Sequence, residues 1–269
     1  MLKNPLAVFG CIMLALLVIA AIFAPLIAPY EFSEQFLEHA FEAPSARFIM
    51  GTDEFGRDIF SRLVYGARIS LQVGFVAVGL ALCAGGFLGA VSGYYGGFCD
   101  NVIMRCMDIL LGIPSTLLAI AIAASLGPGL VNLMISVGIA QIPFYARIVR
   151  GGVLSVREQE FVEAARAMGS GDLRIIFRHI LPNSMAPIIV QTTLDVAYAI
   201  LSAAGLSFIG LGVQPPYPEW GSMLSGGRQY IFEAPHMTLF PGIAIMLTIL
   251  SLNFLGDGLR DALDPKLKR

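Results

Sequence analysis

Apolar residues in this chain fall in long blocks, and the polar residues collect between them. A helix that crosses the hydrocarbon core of a bilayer needs ~20 apolar residues in a row. Six blocks qualify: Leu6–Ala28, Leu71–Gly93, Val102–Leu126, Leu130–Ala146, Ala186–Gly212 and Met237–Leu255. The pattern predicts an all-α membrane protein with six transmembrane helices. The first block also fits a signal peptide, with Ala20, Ala21 and Ala24 near a cleavage point. Its length, and Pro25 directly after Ala24, argue for a retained helix. Between the blocks lie three long polar segments, at 29–70, 147–185 and 213–236. In the last, Pro215, Pro216 and Pro218 forbid a helix at the start, and Trp220 to Ile231 reads as a short helix at the membrane interface.

Composition agrees with this pattern. The chain has 269 residues, 57% hydrophobic and 13% charged, where a soluble domain carries about 25% charged residues. Too little polar surface exists to cover a soluble globule. The net charge of −2 gives no basic excess to attract nucleic acid. Cys11, Cys83, Cys99 and Cys106 show no paired metal spacing and read as small apolar fillers.

Charge orients the spans. Six crossings put both termini on one side. With the termini inside, the inner segments hold Lys3, Arg105, Arg147, Arg150, Arg157, Arg166, Arg174, Arg178, Arg260, Lys266, Lys268 and Arg269. The outer segments hold only Arg47, Arg57, Arg62, Arg68 and Arg228. The positive-inside rule therefore predicts cytoplasmic termini and a cytoplasmic segment 147–185.

The chemistry a self-sufficient pump or enzyme needs is missing from the sequence. A P-loop requires a lysine in a Gly-x-x-x-x-Gly-Lys-Ser/Thr frame. The three lysines, Lys3, Lys266 and Lys268, have no such frame. The three histidines, His39, His179 and His236, fall on different sides, and no nucleophile elbow or His-Glu-x-x-His motif occurs. Ionisable residues inside spans mark transport pathways, and Asp195 is the clear candidate; the alternatives are a carboxylate satisfied by the neighbouring Thr192 and Thr193 hydroxyls or one lining a wet cavity. Arg105 and Asp108, three apart near the inner interface, are placed to pair along one helix face.

The polar segment between the fourth and fifth spans contains EAARAMGSGDLRIIFRHILPN, residues 163–183. Phe161–Met168 is rich in helix formers. Gly169 suits the left-handed helix end, Ser170 or Asp172 suits the next cap, and Leu173–Leu181 reads as a second short helix before Pro182. Phe161, Ala164, Ala165 and Met168 form one narrow apolar face. Such a knob suits either a lipid surface or a cytoplasmic partner. The missing P-loop favours a partner: a chain of this kind reads as the membrane half of a two-part pump.

Glu163-Ala164-Ala165, Gly169 and Leu181-Pro182 at this spacing resemble the EAA loop of binding-protein-dependent ABC importer permeases. One departure stands out: His179 occupies the place, two before Leu181, where the pattern has an apolar residue. Three further stretches resemble the C-type permeases of the dipeptide/oligopeptide/nickel family. They are Gly51-Thr52-Asp53 through Gly66-Ala67-Arg68, Leu206–Pro216 with Glu219-Trp220-Gly221, and Asn253–Asp261 with Leu263-Asp264-Pro265. The resemblance implies a type I ABC importer permease fold in the bacterial cytoplasmic membrane, without catalytic or metal residues of its own. It divides the chain into an N-terminal helix plus extracytoplasmic segment (1–70) and a five-helix core carrying the EAA coupling loop (71–269, with the loop at about 147–185).

The partners it implies are a second homologous permease chain, two cytoplasmic ABC ATPases that bind ATP and Mg, and an extracytoplasmic solute-binding protein. Glu163, Ala164, Ala165, Met168, Gly169, Leu181 and Pro182 would then contact or shape the ATPase junction. Asp195 is a candidate for the translocation pathway. Arg57, Asp58, Arg62, Glu219 and Trp220 are candidates for an outer gate or a binding-protein contact. The expected cargo is a di- or oligopeptide. The alternatives are nickel or a metal chelate, or an ion-driven secondary carrier dependent on Asp195.

Overall fold

The structure, a computed structural model, describes residues 4–263. Lys3, Lys266, Lys268 and Arg269 of the charge pattern, and Asp264 and Pro265 of the closing motif, lie outside them. The described chain is helical, with one isolated bridge between Thr52 and Asp58.

Helix α1 (Pro5–Ile22) starts at Asn4, whose side chain accepts from the N–H groups of Leu6 and Ala7. A short helix α2 (Ala24–Ile27) and an irregular segment follow. Helix α3 (Ile59–Tyr95) is a single helix of 37 residues. It begins well before the predicted Leu71, because Asp58 caps it by accepting from Ser61 N–H at 2.8 Å. Residue 70, the expected division of the chain, falls inside it.

The third predicted span is not one helix. Residues Val102–Leu126 divide between α4 (Gly97–Leu111) and α5 (Ser115–Leu126), bent by 87° at the break. Gly112-Ile113-Pro114 supplies the reason: Pro114 has no N–H to donate and drives Ile113 out of the helical region. Helix α6 (Leu130–Arg157) packs parallel to α3, with Gly138 against Ala77 and Gly93 against Val153. The end of α3 and the end of α6 therefore lie together, and α6 begins at the opposite end. The α4–α5 pair joins those two ends, so it crosses the bundle as a broken span. Among the described residues, five long helices and this pair give six crossings.

Beyond α6 come α7 (Glu160–Ala167), α8 (Asp172–Ile175), a π-turn over Ile176–Ile180 and α9 (Leu181–Phe208). The expected second short helix is not separate. It runs through the π-turn into the fifth span, so that Asp172–Phe208 forms one 37-residue helical stretch. The wide turn places Ile176 and Ile180 on one buried face. Helix α10 (Trp220–Gly227) forms where a short interfacial helix was predicted, but Trp220 is only 1% exposed and buried in protein. Helix α11 (His236–Leu263) closes the fold against α1. Asn4 donates to Asp261 at 3.2 Å, and Gly10 abuts Ser251. Both ends of the described chain thus share the end of the bundle that carries α7, hereafter the loop end.

Close helix approach holds α3 on α6. A Cβ added at Gly85 would meet the Ile142 carbonyl at 2.5 Å, and at Gly89 the Ala146 carbonyl at 2.4 Å. Lipid tails give helices no hydrophobic reason to associate, so small residues that let backbones touch supply the contact.

Candidate functional site

The loop is built by a chain of polar anchors at the ends of α3 and α6. Arg150 donates from Nε and Nη2 to the two oxygens of Asp100, each at 2.6 Å. Arg157 Nη1 donates to the Gly93 carbonyl at 2.9 Å and the Tyr94 carbonyl at 3.3 Å, satisfying acceptors at the C-terminus of α3. Tyr94 Oη donates to Asp172 Oδ1 at 2.7 Å, tying α3 to the start of α8. Asp172 is thereby engaged with Tyr94 and does not cap α8: Gly171 holds the N-cap position without a side-chain bond.

On this base α7 turns one face inward. Val162 and Ala165 are buried, Val162 in a cluster with Val149, Val153, Val156, Ile175, Ile176 and Ile180. Ala165 is 1% exposed and faces its own chain, not the outward face expected of it. Glu163, Ala164 and Met168 are exposed, Met168 at 79%. Gly169 has φ +80°, a left-handed position that an L-residue adopts only under strain. Its N–H and that of Ser170 bond back to the Arg166 and Ala165 carbonyls, ending α7 as predicted. Leu181 packs partly buried against the inner cluster, and Pro182 is exposed in the first turn of α9. Leu173 and Phe177, which the motif does not include, stand 70% and 64% exposed on the same loop. Their signal in the sequence is apolar residues set between arginines.

A second region lies within the spans. Ser115, Gln141, Phe144, Gln191, Asp195 and Tyr198 line a cavity of about 280 Å³ between α5, α6 and α9. Asp195 Oδ1 accepts from Gln191 Nε2 at 2.8 Å. Of the readings open for it, satisfaction by the Thr192 and Thr193 hydroxyls is not what the structure shows, whereas lining a cavity is. Those hydroxyls donate back to the Ile188 and Ile189 carbonyls, as hydroxyls in helices commonly do. The expected Arg105–Asp108 pair is likewise not made: Asp108 Oδ1 accepts from Arg147 of α6 at 2.6 Å.

The far end holds the remaining candidates, and all are buried. Arg57 Nε donates to Asp53 Oδ2 at 2.6 Å, and Arg62 Nη1 donates to the Phe32 and Pro216 carbonyls at 2.9 and 3.3 Å. Asp58 caps α3. Glu219 caps α10 by accepting from Gly221 and Ser222 N–H, each at 2.9 Å. Burial raises the Glu219 carboxyl above its usual pKa, against the two N–H bonds that favour its charged form. Trp220 Nε1 donates to the Leu63 carbonyl at 3.0 Å. Arg62 and Trp220 knit α3 to the residues at the start of α10, while Arg57, Asp58 and Glu219 fix the local ends that they join.

Comparison with known proteins agrees with this geometry. Residues 85–269 match the family described as binding-protein-dependent transport system inner membrane component. Residues 1–44 match the N-terminal TM domain of oligopeptide transport permease C. The chain is 55% identical to the dipeptide transport system permease protein of Alkalihalophilus pseudofirmus, over 99% of this chain and 88% of that one. It is 49% identical to the di/tripeptide transport system permease protein of Pseudomonas aeruginosa, over 98% and 89%. It is 48% identical to a glutathione transport system permease protein of Escherichia coli, over 99% and 88%. The fold resembles the inward-facing MetNI methionine ABC transporter with a TM-score of 0.59 at 19% identity, covering 76% of this chain and 96% of that one. The chain therefore belongs to the family of binding-protein-dependent transport system inner membrane components.

Proposed function

We propose that this chain is one of two permease subunits of an ATP-driven importer for small peptides. The observation that carries the cargo is 55% identity, along nearly the whole chain, to a dipeptide transport permease. The related di/tripeptide and glutathione permeases point to the same size of solute. The loop end faces the cytoplasm, in line with the arginines of 147–185. Glu163, Ala164, Met168, Leu173 and Phe177 form the face for an ATPase chain, which binds ATP and Mg. Ala165 and Val162 seat that face on the spans, and Gly169 sets its bend. A second permease chain completes the pore, and a solute-binding protein delivers peptide at the far end. Arg57, Asp58, Arg62, Glu219 and Trp220 brace that end from within, since their side chains are buried.

The test is uptake by the complete importer in proteoliposomes, with ATP inside and binding protein plus labelled dipeptide outside. Gly169→Arg is expected to abolish uptake while ATP hydrolysis continues in an assembled complex. Unchanged uptake by this variant overturns the coupling role. Uptake driven by an ion gradient without ATPase chains overturns the importer reading.

A further inference from the structure

We infer that the cavity at Asp195 is a transient subsite for a small peptide, with Asp195 receiving its α-ammonium group. This rests on the small-peptide reading above and assigns a place and a polarity to the solute.

Backbone hydrogen bonding is interrupted on all three helices around the cavity. The α4–α5 break puts Ser115 at its edge. Pro143 lies inside α6 between Gln141 and Phe144, and Pro187 lies inside α9 one turn before Gln191. Each proline lacks an N–H, so the Ile139 and Asn183 carbonyls lose their usual helical donors. Backbone irregularity at membrane depth is tolerated where it lines a cavity.

The polar lining is also incomplete. Gln141 is 4% exposed, yet its Nε2 has no hydrogen-bond partner among the described residues. A buried amide donor left unpaired costs ~1–3 kcal/mol, so a ligand that accepts from it is favoured there. Asp195 makes no ion pair among the described residues, and it is the one charged side chain that lines the cavity. Gln191 spends an N–H on Asp195 and keeps its carbonyl oxygen available. Ser115 and Tyr198 hydroxyls, 3.0 Å apart, bond to each other at the rim.

One carboxylate, one free amide donor and one free amide acceptor match one end of a peptide. The α-ammonium pairs with Asp195, the first peptide carbonyl accepts from Gln141, and the first peptide N–H donates to the Gln191 carbonyl. Phe144 and Ile148 give apolar walls for side chains without selecting among them. Among the described residues no lining cation awaits the peptide carboxylate, so this site reads the amino end alone. A volume of about 280 Å³ suits a short peptide and excludes a folded or long one.

The experiment uses the assembled importer without binding protein, which removes that protein's own specificity. Cys11, Cys83, Cys99 and Cys106 are replaced by alanine, and Phe144→Cys, half-exposed at the cavity, reports by its rate of maleimide alkylation. Tyr198→Cys is the second reporter if Phe144→Cys disturbs assembly. Millimolar alanyl-alanine is expected to slow alkylation, and N-acetyl-alanyl-alanine is not. Asp195→Asn is expected to weaken protection by about tenfold, equivalent to about 1.4 kcal/mol, with Asp195→Glu restoring most of it. Equal alkylation with and without dipeptide overturns the subsite. So does protection that ignores acetylation or Asp195→Asn. Dipeptide uptake by the complete importer is measured alongside. Uptake with no protection sinks the subsite alone, whereas no uptake of any di- or tripeptide sinks the peptide reading and the subsite with it.

Discussion

Replacing Gly89 by alanine adds one methyl group to the α3–α6 interface, and the geometry predicts a loss of stability. The new Cβ would lie 2.4 Å from the Ala146 carbonyl oxygen, 3.0 Å from Arg150 N and 3.0 Å from Val149 Cβ. Ordinary contact begins at 3.4 Å, so the helices must part by about 1 Å. A gap of that size forfeits a quarter to a half of each dispersion contact along the seam. The Ala146 oxygen and the Arg150 nitrogen are backbone atoms and cannot rotate away. The cost therefore belongs at the upper end of overpacking, about 3 kcal/mol. Alanine returns about 1 kcal/mol of helix propensity over glycine, leaving a net loss of about 2 kcal/mol. Gly86, three residues earlier, is the control. Its added Cβ would meet Leu82 and Val149 only at 3.9 Å, so Gly86→Ala is expected to be neutral or to stabilise by up to about 1 kcal/mol. Reversible unfolding in mixed micelles of mild detergent and dodecyl sulfate measures both. The two variants falling within about 0.5 kcal/mol of each other would refute the close-packing argument.

Tyr94→Phe removes the bond to Asp172 but keeps the ring, and is expected to speed amide exchange across α7 and α8 while α3 and α6 stay protected; unchanged exchange in the loop means Tyr94 does not anchor it. Trp220→Phe removes the Nε1 bond to Leu63 together with part of a buried ring and is expected to cost at least about 1–2 kcal/mol in thermal unfolding of the purified chain; an unchanged unfolding temperature would refute both contributions. Glu219, with its carboxyl raised by burial, favours the folded state most where it is protonated in both states. Stability is therefore expected to fall as pH rises from the ordinary glutamate value of 4.5 through the raised folded value. Glu219→Gln is expected to flatten that slope, read by unfolding between about pH 4 and 7, and an unchanged slope assigns the dependence elsewhere.

Long apolar runs made α1, α3, α6, α9 and α11 legible, because lipid imposes one length on any spanning helix. The same count concealed the break at Gly112–Pro114: three residues of punctuation barely change mean hydropathy but remove the helical geometry. Gly169 was legible because a turn needs one specific backbone conformation. Ala165 was not, since Phe161, Ala164, Ala165 and Met168 fit one face by spacing alone. Which way that face turns depends on Val149, Val153 and Ile180, brought in from other elements. Partner choice was the least legible property. Asp108 takes Arg147, 39 residues away, over Arg105, and Asp195 takes the amide one turn before it over two adjacent hydroxyls. Gln141 and Gln191 were visible as amides in apolar blocks, but a search for charges alone skips them.

Helix α3 has a consequence for how motion is shared. Its 37 residues make a rod of about 55 Å, against a hydrocarbon core of about 30 Å. No proline interrupts it, and its two ends are held by unrelated fastenings: Asp58 and the Arg57–Asp53 pair at one, Arg157 and Tyr94 at the other. Such a rod is a lever arm without a joint. A tilt of about 5° imposed at Tyr94 displaces Ile59 by about 5 Å, with no bending to absorb it. The broken α4–α5 pair beside it can yield locally, so the molecule pairs one stiff member with one compliant one.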